Sequence, residues 1–398
     1  MADAPPNDAC LACHAGEGFK PFVAGDTFGA SVHGTLPCVG CHADATEVPH
    51  RTDLKAVDPS GCAVCHEGVV TKYTASIHGQ ARANGSTEAA TCTSCHGPAH
   101  ELRRVSDPMS SVYPLNLPRS CGVCHGDPEM AKRHGIEVTD AYQLYMDSIH
   151  GRALTKSGLL VAAHCGSCHG AHDIRPLRDA SSKVNRRNVP ATCGSCHAGI
   201  LDLYRKSTHG KALAAGSSDA PVCIDCHTAH RIARVETEAW KLDVIGECGT
   251  CHEQSLRTYR DTFHGQVTAL GFTRVARCSD CHGSHGILPA SDPNSTIAPG
   301  NLVATCQQCH PGVGASFAEF SPHADAADRE KYPLLYWVAV FMNLLIIGVF
   351  LFFGAHSALW FIRSAIARAR GEGAPGGDDD EPKASPRADD GGSDRGKS

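Results

Sequence analysis

All 22 cysteines of this 398-residue chain fall in CxxC pairs, and a histidine follows each pair at once. The eleven sites are Cys10, Cys13 and His14; Cys38, Cys41 and His42; Cys62, Cys65 and His66; Cys92, Cys95 and His96; Cys121, Cys124 and His125; Cys165, Cys168 and His169; Cys193, Cys196 and His197; Cys223, Cys226 and His227; Cys248, Cys251 and His252; Cys278, Cys281 and His282; and Cys306, Cys309 and His310. Two thiols one helical turn apart can bond the two vinyl groups along one porphyrin edge. The next residue's imidazole then reaches the iron from one face, which makes CxxCH the attachment signature of c-type haem. Disulfide scaffolding would leave the histidines unexplained and would close only tiny loops. Four-thiolate zinc sites would need an even number of CxxC pairs, and thioredoxin-like redox motifs need a βαβ context. The expected cofactor is therefore covalent haem c, eleven per chain, with the eleven histidines just named as proximal iron ligands.

A second set of histidines recurs in two contexts. A Ser/Thr-x-His motif, usually followed by Gly, places His33, His78, His150, His209, His264 and His323. Another histidine trails the second CxxCH of a repeat by three or four residues, at His100, His172, His230 and His285, with His50 a looser counterpart eight residues after His42. Six and five make eleven candidate sixth ligands for eleven irons. His134, His164 and His356 are left over, and His134, His164, Met109 or Met130 could substitute for His50. A histidine one turn beyond a proximal ligand stays on the same face of its own haem. It is expected to reach a neighbouring iron instead and to tie haems together in pairs.

These ligands must be positioned by very little chain. Between Cys10 and His323 lie 314 residues for eleven haems, fewer than 29 each, and aromatics are only 6% of the sequence. An apolar core would be poorly supplied, so haems must pack against haems. First cysteines at Cys10, Cys62, Cys121, Cys193, Cys248 and Cys306 head modules 52, 59, 72, 55 and 58 residues apart, the mark of an array of similar units. The expected fold is mostly α-helical and irregular with little sheet, a haem-cored domain over residues 1–325. Within a module, a polar helical stretch is expected to end near the Gly of Ser/Thr-x-His-Gly. An aromatic five residues before that histidine (Phe28, Tyr73, Tyr145, Tyr204, Tyr259) reads as haem-packing surface rather than a redox group.

A juxtamembrane linker, 326–333, leads to a transmembrane helix over 334–362. From Leu334 to Ala355 the only strongly polar residue is Asn343, and 22 residues at about 1.5 Å each cross a hydrocarbon layer of roughly 30 Å. Tyr332, Tyr336, Trp337 and Trp360 mark its interfaces, and Arg363, Arg368 and Arg370 follow it, so the positive-inside tendency puts the C-terminus in the cytoplasm and the haem domain in the periplasm. Residues 363–398 read as a basic, then acidic, disordered tail; from 371 on it has eight acids against four bases. No secretory signal precedes Met1, and because haem attachment takes place outside the cytoplasm, a leader removed or lying upstream is expected. The tail carries minus 4 of the formal charge of minus 6, so the haem domain is nearly neutral until 22 haem propionates are added. Basic partners are expected rather than nucleic acid.

Through CxxCH, SxHG and CHGxH, residues 10–323 resemble the multihaem cytochrome c families of anaerobically respiring bacteria, especially membrane-anchored members associated with extracellular metal reduction. The resemblance implies electron transfer between a multispan, quinone-reactive membrane subunit and other cytochromes or extracellular acceptors. The chain departs from tetrahaem quinol dehydrogenases, whose anchor is N-terminal, and their quinol site does not carry over. Irons with both axial positions filled favour transfer over bond chemistry, so no residue is expected to be catalytic. The competing expectation is a multihaem reductase of nitrogen or sulfur oxyanions. That class commonly carries a haem with an open site, sometimes signalled by CxxCK, and no CxxCK occurs here.

Overall fold

A computed structural model describes residues 5–371, apart from 17, 19, 20, 56 and 58. The expected disordered tail, from residue 372 on, lies outside the described residues. Those described form short helices joined by turns, with no strand among them, and one long C-terminal helix. The chain divides into two compact parts, Met1–Pro322 and His323–Ser398.

The recurring element of the first part is a helix pair broken at a serine or threonine. Pro59–Thr74 is followed by Ile77–Ala83, Ala141–Asp147 by Ile149–Thr155, Ala198–Lys206 by Thr208–Ala214, and Glu253–Asp261 by Phe263–Ala269. The second helix of each pair is N-capped by Ser76, Ser148, Ser207 or Thr262, whose hydroxyl accepts the N–H of Gly79, Gly151, Gly210 or Gly265. The same hydroxyl donates to the carbonyl of Tyr73, Tyr145, Tyr204 or Tyr259 at the end of the first helix, at 2.6–2.7 Å. SxHG thus starts a helix, which corrects the expectation that a helix ends at its Gly. The glycine is needed for space: a Cβ at Gly79, Gly151, Gly210 or Gly265 would overlap the carbonyl oxygen of the preceding tyrosine. The first module lacks the second helix; Gly25–Ala30 ends at Ser31 and His33 sits in a turn.

Among the described residues of this part, few apolar side chains larger than alanine are buried: Pro118, Leu154, Val189, Pro190, Val222, Ile245 and Tyr259. Small polar groups that hold backbone turns, such as Ser76, Ser110, Ser148, Ser182, Ser207 and Ser295, are at least as well buried. The architecture is therefore organised by hydrogen-bonded turns rather than by an apolar side-chain core.

In the second part, Pro333–Ala369 is one unbroken helix of 37 residues, about 55 Å long, with no buried residue. It is long and apolar enough to cross a membrane. The Arg329 guanidinium lies over the Trp337 ring at 5.2 Å, beside Tyr332 and Tyr336, a cation-and-aromatic cluster of the kind found at lipid headgroups. The helix runs seven residues past the expected end at 362, because no Gly or Pro interrupts Arg363–Ala369 and its Ala and Arg residues favour helix.

Candidate haem-binding array

The CxxCH motifs lie on or beside short helices that present both thiols and the histidine. Cys92–His96, Cys165–His169, Cys223–His227 and Cys278–His282 are each a single helical stretch of five residues. Asn7–His14 and Leu117–His125 end at their proximal histidine. After each five-residue helix the chain turns through a left-handed residue: Gly97 at φ 89°, Gly170 at 85°, Gly283 at 78°, and Thr228 at 61°. The threonine bears the strain because its hydroxyl donates to the carbonyls of His227 at 2.6 Å and Arg231 at 2.8 Å. This reversal carries the trailing histidine away from its own proximal ligand.

The histidines then meet in pairs. His14 faces His50 with ring centres 5.8 Å apart, His33 faces His66 at 6.1 Å, His42 faces His100 at 6.1 Å, and His78 faces His125 at 6.2 Å. His96 meets His172 at 6.0 Å, His150 meets His197 at 6.1 Å, and His169 meets His230 at 6.0 Å. His209 and His252 are 6.3 Å apart, His227 and His285 5.9 Å, and His264 and His310 6.1 Å. Each of these ten pairs joins one CxxCH histidine to one histidine of the second set. His282 closes the helix Cys278–His282, and His323 opens the C-terminal part.

The spacing has a simple chemical reading. Two metal–imidazole bonds of about 2 Å, plus about 1 Å from each ring nitrogen to its ring centre, come to about 6 Å. In the first pair the two Nε2 atoms face each other at 3.5 Å, and each Nδ1 points at a backbone carbonyl, Pro21 for His14 at 2.8 Å and Arg51 for His50 at 2.7 Å. An Nδ1–H bonded to a carbonyl leaves the Nε2 lone pair for a metal. Burial first, and the facing histidine second, lower the pKa of His78, His96, His100, His150, His169, His209, His227 and His264, with His169 at about 4. These rings stay neutral at pH 7, the form that ligates. Among the described residues no group of three or more His, Cys, Asp or Glu could hold a bare metal ion. A pair of imidazoles on opposite sides suits an iron whose other four bonds come from a porphyrin, so the residues fit haem c.

The pairs connect modules in a way the spacing did not reveal. A Ser/Thr-x-His histidine meets the first CxxCH of the next module, as His150 meets His197. A trailing histidine meets the second CxxCH of the previous module, as His230 meets His169. The histidines brace modules one to five each to the next in both directions, and His264 with His310 joins module five to module six. The cysteines follow the same succession. The first thiols of one module's two motifs lie close to each other, in Cys10–Cys38, Cys121–Cys165, Cys193–Cys223 and Cys248–Cys278. The second motif's last cysteine is within electrostatic range of the next module's first pair, as in Cys168 with Cys193 and Cys196, and Cys226 with Cys248 and Cys251. With haem attached these sulfurs are thioethers, so the contacts report the order of attachment sites and carry no acid–base meaning.

Supporting residues complete the frame. The tyrosine hydroxyls donate to the carbonyls of Ala90, Ala163, Pro221 and Ala276, each two residues ahead of the second CxxCH, at 2.8–3.0 Å. Burial holds all four phenols above their ordinary pKa, Tyr204 at about 12. Their observed role is to clamp the approach to the haem motif. The residue before each of the first four SxH histidines donates its N–H to the next module's trailing segment: Val32 to Leu102, Ile77 to Ile174, Ile149 to Ile232 and Thr208 to Ile287, at 2.8–2.9 Å. Asn116, Asn188 and Asn301 went unread in the sequence. Each side-chain amide bonds two carbonyls of the loop ahead of it, those of Pro108 and Ser110, Ala180 and Ser182, or Pro293 and Ser295. The signal was present as Asp, Ser and Asn at 14, 11 and 5 residues before Cys121, Cys193 and Cys306.

The leftover candidates lie elsewhere. His134 bonds Glu88 at 2.7 Å beside Arg133, and Met109 is 74% exposed. His164 caps the Cys165 helix with its Nδ1 buried and unpartnered. His356 lies within the long apolar helix. None replaces His50, which faces His14.

Comparison with characterised proteins finds a stretch of 203 residues that is 25% identical to the multiheme cytochrome MtrA of Shewanella baltica (strain OS185), covering 48% of this chain and 52% of that protein. The chain thus spans about half the length of the curated relative it matches. No family model matches, and no solved structure does.

Proposed function

We propose that this protein is a multihaem c-type cytochrome that transfers electrons along eleven covalent, bis-histidine haems. The observation that carries the reading is the set of ten opposed imidazole pairs, each built from one CxxCH histidine and one other, at a separation that suits one iron between them. His282 is the eleventh proximal ligand in this count and His323 the eleventh distal one. Haem c bound there would supply one-electron iron chemistry. The chain's own part is to fix both axial ligands and string the attachment sites in chain order. Filled axial positions close each iron to substrate. The likeness to a multiheme cytochrome supports the same class.

The finer reading adds the membrane. The helix Pro333–Ala369 anchors the protein in the inner membrane, with the haem domain periplasmic and the C-terminus cytoplasmic. Electrons pass between a multispan, quinone-reactive membrane subunit and periplasmic or extracellular acceptors, including other cytochromes. The apolar length of the helix, its aromatic and cationic start, and the arginines at its far end support this placement. The test is intact mass combined with low-temperature magnetic resonance of the oxidised, matured protein. The expected result is a polypeptide heavier by eleven haems and a spectrum of low-spin ferric iron. A mass with ten or fewer overturns the count, and a substantial high-spin fraction that binds nitrite, hydroxylamine or cyanide favours a reductase.

A further inference from the structure

The ten imidazole pairs are not alike in the angle between their planes. Where the distal ligand comes from Ser/Thr-x-His, the rings are crossed: 43° for His33–His66, 51° for His78–His125, 44° for His150–His197, 34° for His209–His252 and 41° for His264–His310. Where it is a trailing histidine or His50, they are closer to parallel: 6° for His14–His50, 26° for His42–His100, 3° for His96–His172, 3° for His169–His230 and 15° for His227–His285. The two ranges do not overlap. From the second CxxCH to the ninth, in chain order, they alternate without exception.

Local structure accounts for the division. A crossed distal histidine in modules two to five is the second residue of a helix whose first turn is locked by the Ser or Thr cap and by the glycine against the tyrosine carbonyl. A trailing histidine follows a left-handed residue closely, in an open turn at His172, His230 and His285 and in the single 3-10 turn Ala99–Glu101 at His100. In one parallel pair the ring plane has a further support, since Trp240 stacks on His227 at 5.7 Å with 9° between the planes. Ring orientation at a metal is set by such outer contacts.

The orientation matters for ferric iron. Each imidazole donates π density along one direction in the haem plane. Two parallel rings raise the same iron d orbital, which separates it from its partner and stabilises the ferric hole. Rings 34–51° apart direct part of the donation into the second orbital, leaving the two somewhat closer in energy. We propose that the irons form two electronic classes that alternate along the chain: a parallel-ligand class, easier to keep oxidised, and a crossed-ligand class whose geometry is imposed by the Ser/Thr-x-His-Gly helix start. An array of this kind would pass electrons through alternating lower and higher steps.

The inference rests on bis-histidine ligation, and the experiment separates the two failures. Low-temperature magnetic resonance of the oxidised, haem-loaded full chain is expected to show two low-spin populations of about equal spin count, following five crossed and five parallel pairs. Both are rhombic, and the crossed-ligand population has its largest g-value displaced upward from that of the parallel-ligand population. A high-spin spectrum refutes the ligation itself. All-low-spin iron in a single rhombic class leaves the ligation intact and overturns the two-class proposal. The Ser207→Ala protein, which loses one cap and no ligand, should move about one fifth of the crossed-ligand intensity to another low-spin position and leave the signals of the five parallel-ligand irons in place. If its spectrum matches the parent's, the helix start does not set the geometry.

Discussion

An imidazole at the second position of a capped helix has few directions available, because its backbone is fixed before its side chain is placed. His209 is in that situation: Ser207 holds the helix start, and the ring faces His252 at 6.3 Å. In the proposed array, His209→Ala removes one sixth ligand and leaves the thioethers and the proximal ring in place. The expected outcome is one high-spin, cyanide-binding haem among eleven, with haem content unchanged in the pyridine-treated spectrum. His197→Ala removes a proximal ligand directly after Cys196, and should lower the haem count as well. Equal effects of the two substitutions would contradict the division of roles. The residue types were legible without coordinates because the proposed haem attachment would dictate them: thiols at a fixed interval and an imidazole next to them. The partner of each imidazole was not legible, because it depends on where a left-handed residue such as Gly170 or Thr228 sends the chain.

The helix start shows how a correct motif can be assigned the wrong structural sense. Serine followed three residues later by glycine carries both a start signal and a stop signal, and local sequence does not rank them. What decides is a tertiary contact, the approach of Gly151 to the Tyr145 carbonyl, where no side chain fits. This has a measurable consequence. Alanine normally favours a helix over glycine by up to about 1 kcal/mol. At Gly151 the added methyl must displace backbone, and overpacking of that kind costs roughly 1–3 kcal/mol. Gly151→Ala is thus expected to lower the thermal midpoint of the haem-loaded protein. Gly199→Ala, in the helix Ala198–Lys206 with open space around the added Cβ, should leave it unchanged or raise it. If both substitutions stabilise, the packing account of SxHG fails. The tyrosines follow the same logic. Tyr145→Phe deletes the 3.0 Å bond to the Ala163 carbonyl and should cost roughly 0.5–1.5 kcal/mol without shifting the low-spin signals, because the phenol clamps a loop and touches no iron in this account. The Asn116, Asn188 and Asn301 clasps were missed for a related reason: an asparagine in a loop is common, and only its repetition at one distance from three cysteine motifs distinguishes it.

At the scale of the whole molecule, histidine bracing in the proposed array would make each module depend on its neighbours, as in other repeat arrays, but through metal ligation rather than apolar contact. The proposed route for electrons is then the chain order itself, ending at the motif Cys306, Cys309 and His310. Only a short connection separates that motif from the long helix at Pro333. We expect this last haem to exchange electrons with the quinone pool. A lone helix can hardly enclose a quinone, which needs a concave site, so a multispan subunit must supply most of the pocket. His356 argues little for a quinone or haem site on the helix itself. It lies 22 residues beyond Leu334, at the end away from the Arg329–Trp337 cluster, where a histidine can reach the interface. Deleting residues 334–398 tests whether the anchor is a contact point or a tether. The truncated protein should be released from membranes with its full complement of haems, since every CxxCH and every second-set histidine is retained. Its reduction by quinol in isolated membranes should be slower than that of the anchored form at equal haem concentration, because the docked geometry has been replaced by diffusion. If the released form is reduced as fast as the anchored one, the helix is only a tether and the quinone-linked partner docks on the haem domain alone.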